Sequence, residues 1–496
     1  MSTWIGVDLG TQSVRVMAVT GDGRVLGAAS RPLTSRRDGP RHEQDPEGWW
    51  EALAAASREA MRDVPPGPVG GVAVDATSGT ILLTGGDGRP LTPGLMYDDR
   101  RAAGEVDRVN DVGAHVWDRL GYRRMQANWA LPKLLWLLRD APAGARLAHQ
   151  NDFVNRRLTG RPVATDLSNA LKTGVDLIDE RWPSDVLDAL GVPASVLPGV
   201  VRPGTVLGEV CAEAAEATGV PAGTPVVAGT TDGCAAQLGA GALTPGSWNS
   251  VMGTTLVLKG VTRELVHDPL GVVYSHRAPD GSWLPGGASS TGAGVLARDL
   301  AGRDLDALSR LAAGRFESGG AGAGPPAGPS IRPPADPSAT VYPLVSRGER
   351  FPFAAPEAEG FTLGRLGDDV DRYAAILRGA AYIERLCFDY LDLLGAPVDG
   401  EIVLTGGATR SSYWNRVRAA VLGRPVTLRE NAEPALGMAV LAAGPASAAR
   451  MIRTREVVEP GGEDLREHYL RFVAELEDRG WLPPEAAAHA RKRSAR

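Results

Sequence analysis

At 496 residues the chain exceeds what a single hydrophobic core organises, and two domains of ordinary size are expected. Hydrophobic residues at 43% and charged residues at 23% are the balance of a soluble globular protein, and a net charge of −6 leaves no electrostatic footprint for nucleic acid. Cys211, Cys234 and Cys387 are odd in number and widely spaced, which excludes a disulfide framework and zinc-ligand spacing. With no charged-then-apolar leader and no apolar run of about 18 residues, a cytoplasmic protein without membrane contact is expected.

The chain opens with two apolar strands around Gly10-Thr11 in "WIGVDLGTQSVRVMAV", followed by a Gly21-Asp22-Gly23 hairpin turn. Asp8 interrupts the first strand, and a buried carboxylate is costly unless something compensates it. In "EQDPEGWWEALAAASREAM" the period becomes helical, with Asp45 suited to the N-cap and Pro46 to the first helical position. "VGGVAVDATSGTILL" reads as strand, turn and strand, and "LPKLLWLLRD" and "NDFVNRRLTG" as helices. "PAGTPVVAGTTDGCAAQLGAGAL" holds a short strand, a Gly-Thr-Thr-Asp-Gly turn and a helix of small residues. Glu317 to Ser338 is rich in Gly and Pro and reads as a flexible surface insertion. "EIVLTGGATRSSYWNRVRAAVLGRPV" is a buried strand, a Gly-Gly turn and an amphipathic helix, and the chain beyond about Pro460 is charged and helical with a solvated end. Strands alternating with helices define an α/β protein.

One internal echo stands out. "VDLGTQSVRVMAV" resembles "SVMGTTLVLKGV", with Gly10-Thr11 matching Gly253-Thr254 and Val251 standing where the first copy has Asp8. Two similarly built halves facing each other would produce it. A Gly-Thr turn offers backbone N–H groups and a hydroxyl to a phosphate, although either turn alone also reads as an ordinary hairpin. A facing pair, one with an aspartate able to reach Mg²⁺ directly or through water, suits a cleft that grips a nucleotide's phosphates from both sides. Asp232 begins the small-residue helix, where it reads either as an N-cap or as a general base for a sugar hydroxyl. Gly406-Gly407 reads as a nucleotide loop or as helix–sheet packing, and His42 as a loop hydrogen-bonding residue. No P-loop, dinucleotide fingerprint or Gly-x-Ser-x-Gly elbow is present.

In order along the chain, "GVDLGTQSVR", "HEQDPEGWW", "MYDDRRA", "NDFVNRRLTG", "TDLSNA", "AGTTDGCAAQLGAG", "GTTLVL", "YPLVSRGERFPFAAPEA", "LTGGATRSSYWNRVRAAVLGRPV" and "EPALGMAVLAA" resemble the FGGY family of carbohydrate kinases from residue 4 to about 445. The resemblance implies two actin-like, ribonuclease-H-like domains of the ASKHA type with an interdomain cleft. It divides the chain into a sugar-binding domain at 1–240 with the first phosphate motif and the catalytic aspartate, a nucleotide-binding domain at 241–455, and a charged helical tail at 456–496. It implies Asp232 as the catalytic base and Asp8 and Asp232 at the metal. Asp8, Thr77, Ser78, Asp99, Arg101 and Asp232 fall at sugar-contact positions. Gly10, Thr11, Gln12, Gly253, Thr254, Thr255, Gly406, Gly407, Ala408 and Asn415 fall at nucleotide positions. ATP and Mg²⁺ are the implied cofactors, a small sugar is the implied partner, and symmetry statistics point to a homodimer.

Departures bear on the substrate. Tyr97 replaces the tryptophan of the family's Trp-x-Asp-x-Arg, in which Asp99 and Arg101 also read as a simple ion pair, and Ala420 stands where Asp is common. Xylulokinases usually carry Gln-Met-His-Gly where this chain has "VDATSGTIL", and the Arg-Glu pair of glycerol kinases is absent. The Asp75–Thr80 segment resembles the group similar to D-ribulose kinases, and small hydroxyls suit a neutral sugar. The expectation is transfer of the γ-phosphoryl of ATP to a terminal hydroxyl of a ketopentose, D-ribulose first, then D-xylulose or another polyol. The rival from another class is a non-catalytic nucleotide- or sugar-binding actin-like protein, against which Asp232 speaks, since a sensor needs no base.

Overall fold

The computed structural model describes residues 2–317, 336, 338–461 and 464–495; apart from Glu317, Asp336 and Ser338, the Gly/Pro-rich stretch lies outside the described residues. Two large mixed sheets organise the chain. The first runs in the order Val206–Glu209, Pro225–Val227, Val69–Ala76, Thr3–Leu9, Ser13–Thr20, Val25–Pro32. The second runs Tyr274–Arg277, Trp283–Ala288, Leu256–Gly260, Trp248–Met252, Ile402–Thr405, Val426–Arg429, Thr454–Val458.

The echo between the Gly-Thr turns is architectural. Thr3–Leu9 pairs antiparallel with Ser13–Thr20 and parallel with Val69–Ala76. Trp248–Met252 likewise pairs antiparallel with Leu256–Gly260 and parallel with Ile402–Thr405. The next neighbours repeat as well: Val25–Pro32 and Trp283–Ala288 join antiparallel, Pro225–Val227 and Val426–Arg429 parallel. The same five-strand core is therefore built twice, as two actin-like domains.

The helix Pro46–Met61 forms as its sequence predicts, with the Asp45 side chain accepting from the Glu47 N–H at 3.0 Å. Its Trp49, Leu53 and Ala56 cover Ile5, Val7 and Leu9, the inward face of the first strand. By the two-residue period of a strand, Gly6 and Asp8 face the opposite way. That face is covered by the helix Pro434–Ala442, so closely that a Cβ on Gly6 would stand 1.7 Å from the Ala435 carbonyl oxygen. The helix Asp232–Ala240 crosses the same helix through its small residues, a Cβ on Gly437 standing 2.0 Å from the Ala235 oxygen. Absence of side chains thus lets two helices press against the sheet and brings Asp232 close to the first strand.

"VGGVAVDATSGTILL" forms the expected strand, turn and strand, with its strands in different sheets: Val69–Ala76 belongs to the first large sheet, whereas Ile81–Thr84 joins a separate antiparallel sheet with Arg41–Gln44 and Arg146–His149. Residues 456–496 are not a separate tail. Thr454–Val458 is the edge strand of the second sheet, and helices Arg466–Asp478 and Pro484–Ser494 place Tyr469, Phe472, Leu476 and Ala490 in the second domain's core. The Tyr469 hydroxyl donates to Asp389 at 2.5 Å, and Arg493 pairs with Asp389 at 3.1 Å. Charges on the outer faces of these helices mask the apolar stripes beneath. Among the described residues no helix is long and apolar enough to cross a membrane.

Candidate active site

Three carboxylates converge where the first sheet meets the small-residue helices. Asp8 and Asp75 are direct partners across neighbouring parallel strands. Asp232 is the first residue of its helix, with Thr231 at the N-cap, and the bridge from Thr231 to Ala76 fixes it beside the end of the Asp75 strand. Asp75 is fully buried, and among the described residues its carboxyl has no bonding partner apart from the neighbouring Asp8 carboxyl. Burial foremost, then the neighbouring Asp8 and Asp232, pushes its pKa well above the usual carboxylate value. Burial foremost, then repulsion from Asp232, lifts Asp8 to about 6, against a lowering bond with Asp75.

Asp232 reaches solvent, yet it lies in a recess walled by protein, where lost hydration raises its pKa. The Gly233 N–H, donating at 2.7 Å, and the cations of Lys172 and Lys259 pull the other way. The helix N-terminus adds a favourable field for the ionised form. The result is an accessible carboxylate that, among the described residues, takes one hydrogen bond, from backbone, and it is free to accept a proton.

Each Gly-Thr turn is closed by a bond from its glycine to a carbonyl further on, three residues ahead in the first and two in the second. Gly10 N–H donates to Ser13 O at 3.1 Å, and Gly253 N–H donates to Thr255 O at 3.0 Å. Thr11 is held from behind by buried Gln44, whose Nε2 donates to the Thr11 carbonyl at 2.7 Å while its Oε1 accepts from Trp49 Nε1 at 2.7 Å. Gln12 is exposed beside it. The second turn is tied by Ala293 and Gly294, whose N–H groups donate to Gly253 and Thr254 at 2.9 and 3.1 Å. Gly406 has φ 84° and lies against the Met252 backbone, a conformation and a closeness that exclude a side chain. Gly406 and Gly407 are exposed, Ala408 is buried, and Asn415 donates to the Thr409 carbonyl at 3.0 Å, bracing this loop from within.

Other residues singled out from sequence are engaged internally. The Thr77 hydroxyl donates to Gln150 Oε1 at 2.7 Å and lies 2.6 Å from the Thr80 hydroxyl. Buried Asp99 accepts from the His42 N–H at 2.7 Å and from Arg101, which also pairs with Glu43 at 2.7 Å. Asp99 and Arg101 therefore form a buried ion pair that fastens the loop. Ser78 differs: its hydroxyl is buried without a partner among the described residues. Sequence reasoning missed Asp75 as a member of the acidic cluster, and it missed Lys172 and Lys259. The quoted blocks "TDLSNA" and "GTTLVL" stop short of both lysines, and the available signal was a lysine inside an apolar strand, "LVLKG".

A carboxylate at a helix start, two Gly-Thr turns and a glycine loop on a doubled ribonuclease-H-like scaffold are the parts that a two-lobed phosphotransferase needs. Residues 3–239 match the FGGY family of carbohydrate kinases, N-terminal domain, and residues 248–444 its C-terminal domain. A xylulose kinase of Streptomyces coelicolor is 31% identical over 89% of this chain and 87% of its own length, and one of Streptomyces rubiginosus is 30% identical over 93% and 94%. A solved xylulose kinase from Rhodospirillum rubrum is 27% identical and superposes with a TM-score of 0.82 over 96% of this chain and 98% of that one. The chain belongs to the FGGY family of carbohydrate kinases. It is accordingly an ATP-dependent sugar phosphotransferase.

Proposed function

We propose that the chain phosphorylates the terminal hydroxyl of a ketopentose, with Asp232 as the general base. The observation that carries this reading is the Asp232 carboxylate itself, accessible at its helix start with one backbone hydrogen bond. A sugar hydroxyl is a poor nucleophile, and a carboxylate that accepts its proton as the phosphoryl moves raises the rate by about 10²–10⁴. The Gly10-Thr11 and Gly253-Thr254-Thr255 turns orient the phosphates through backbone N–H groups. Gly406 and Gly407 let the adenosine lie against backbone, with Ala408 and Asn415 supporting them from the interior. Closure of the two lobes excludes water, which would otherwise take the phosphoryl group.

The acidic face fits a magnesium ion, because Asp8 and Asp232 feel each other's charge at the end of the first strand, with Asp75 paired behind Asp8. Among the described residues no three Asp, Glu, His or Cys groups are spaced to cage a metal alone, which suits an ion that keeps waters and phosphate oxygens. Asp8, with Asp232 beside it, would hold the ion, which when bound neutralises phosphate charge.

The names of the 30–31% identical relatives favour D-xylulose as the acceptor. The Asp75–Thr80 segment favours D-ribulose as the second reading, since the Ser78 hydroxyl there, unpartnered among the described residues, offers a neutral contact. The three unpaired cysteines suit a reducing cytosol. A coupled ADP-release screen over D-xylulose, D-ribulose, their alditols and glycerol tests the reading. Turnover confined to non-ketose polyols would overturn it.

A further inference from the structure

We propose that Lys259, contributed by the second domain, is a specificity-determining ligand of the acceptor sugar, donating together with Lys172 to the keto oxygen and an adjacent hydroxyl. This rests on the ketopentose reading. Lys259 lies on the strand Leu256–Gly260, directly after the second Gly-Thr turn, and only 5% of it is exposed. Its Nζ is 2.9 Å from His276 Nδ1, 3.4 Å from the Leu284 carbonyl and 5.4 Å from the centre of the Tyr274 ring. Lys172, from the first domain, stands 5.9 Å from the same ring and donates to the Ser78 carbonyl at 3.1 Å. The two domains meet here, for Cys234 on the Asp232 helix packs with Val261, Ala278 and Leu284.

Two buried ammonium groups flank the base, yet neither takes part in an ion pair within 4.0 Å among the described residues. A buried cation without a counter-charge is costly, and packing gives no reason to keep two. The ammonium of Lys259 donates to His276 Nδ1, so the neutral ring carries its proton on Nε2, and that N–H is buried without an acceptor among the described residues. Lys259, Lys172 and the His276 Nε2–H thus present donors here, beside the Ser78 hydroxyl. A keto oxygen accepts and cannot donate, which matches these donors and sets a ketose apart from an alditol. The bound sugar would supply the missing acceptors at one end while its terminal hydroxyl faces Asp232 at the other.

The test compares full-length Lys259→Met and Lys259→Arg with the wild type, using D-xylulose and D-ribulose. Loss of a charged donor is expected to raise the sugar KM by roughly ten- to a hundredfold in Lys259→Met, with the ATP KM within about twofold. Lys259→Arg should retain a sugar KM within about threefold of the wild type. In thermal melts, Lys259→Met should keep the shift produced by ADP and Mg²⁺ and lose the shift produced by sugar. An unchanged sugar KM in Lys259→Met would overturn the proposal. So would a parallel rise of both KM values with a lowered melting temperature, which is the signature of a lysine that only holds the domain contact. A wild type inactive on every ketopentose would refute the substrate reading separately; the same comparison then runs with the sugar found in the ADP-release screen.

Discussion

Replacing Asp232 with Asn removes one charge and one proton acceptor and little else. The amide oxygen can still accept from the Gly233 N–H, which donates at 2.7 Å in the native site, and the helix keeps its Thr231 cap position. The fold should therefore survive. A positioned carboxylate general base contributes about 10²–10⁴ in rate, or roughly 3–5 kcal/mol of barrier, and kcat should fall by that factor. ATP binding should persist, since the Gly-Thr turns and the Gly406-Gly407 loop are held by bonds that do not involve Asp232. Removing a negative charge near the phosphates, with Lys172 and Lys259 left in place, should if anything tighten nucleotide binding. Coupled ADP release measures kcat, and titration calorimetry with ATP measures binding. A kcat within tenfold of the wild type would remove Asp232 from the role of base, and an equal loss of ATP affinity would show that the change disturbed the cleft instead.

Asp8 gives a prediction whose sign depends on pH. Its folded pKa of about 6 lies above the ordinary 3.8, so the folded state binds that proton more tightly, and the stability this confers is lost as pH rises to about 6. Asp8→Asn should therefore stabilise the nucleotide-free protein at pH 8 by about 1–3 kcal/mol, with the gap narrowing below pH 6 and closing only below pH 3.8, while phosphoryl transfer falls. Urea unfolding over this pH range checks it, and a pH-independent gap counts against it. Gly6→Ala pushes a methyl group to 1.7 Å from the Ala435 carbonyl oxygen, and the backbone there cannot yield cheaply. A loss of about 1–3 kcal/mol or more is expected, read as a lower melting temperature; an unchanged melt would show that the helix is free to move away. Gln44→Ala leaves the Thr11 carbonyl and the Trp49 indole N–H without partners, at about 1–3 kcal/mol for each buried group. The ATP KM should rise several-fold with the sugar KM little changed, and the opposite pattern would detach Gln44 from the phosphate turn.

The sequence alone determined what depends on near neighbours. The Asp45 cap, the two Gly-Thr hairpins and the small-residue helices follow from signals spanning a few residues, and the ordered motifs pointed to the doubled scaffold that the strand pairing displays. It did not determine which polar groups are already satisfied, because those partners are distant in the chain. Gln150 takes the Thr77 hydroxyl from 73 positions away, and the His42 N–H reaches Asp99 from 57. Tertiary structure alone set Asp75 beside Asp8, where burial and mutual repulsion decide their protonation. It also brought Lys259 of one domain and Lys172 of the other to a single carboxylate, since electrostatic neighbourhood is a property of folded space and leaves no periodic trace along the chain.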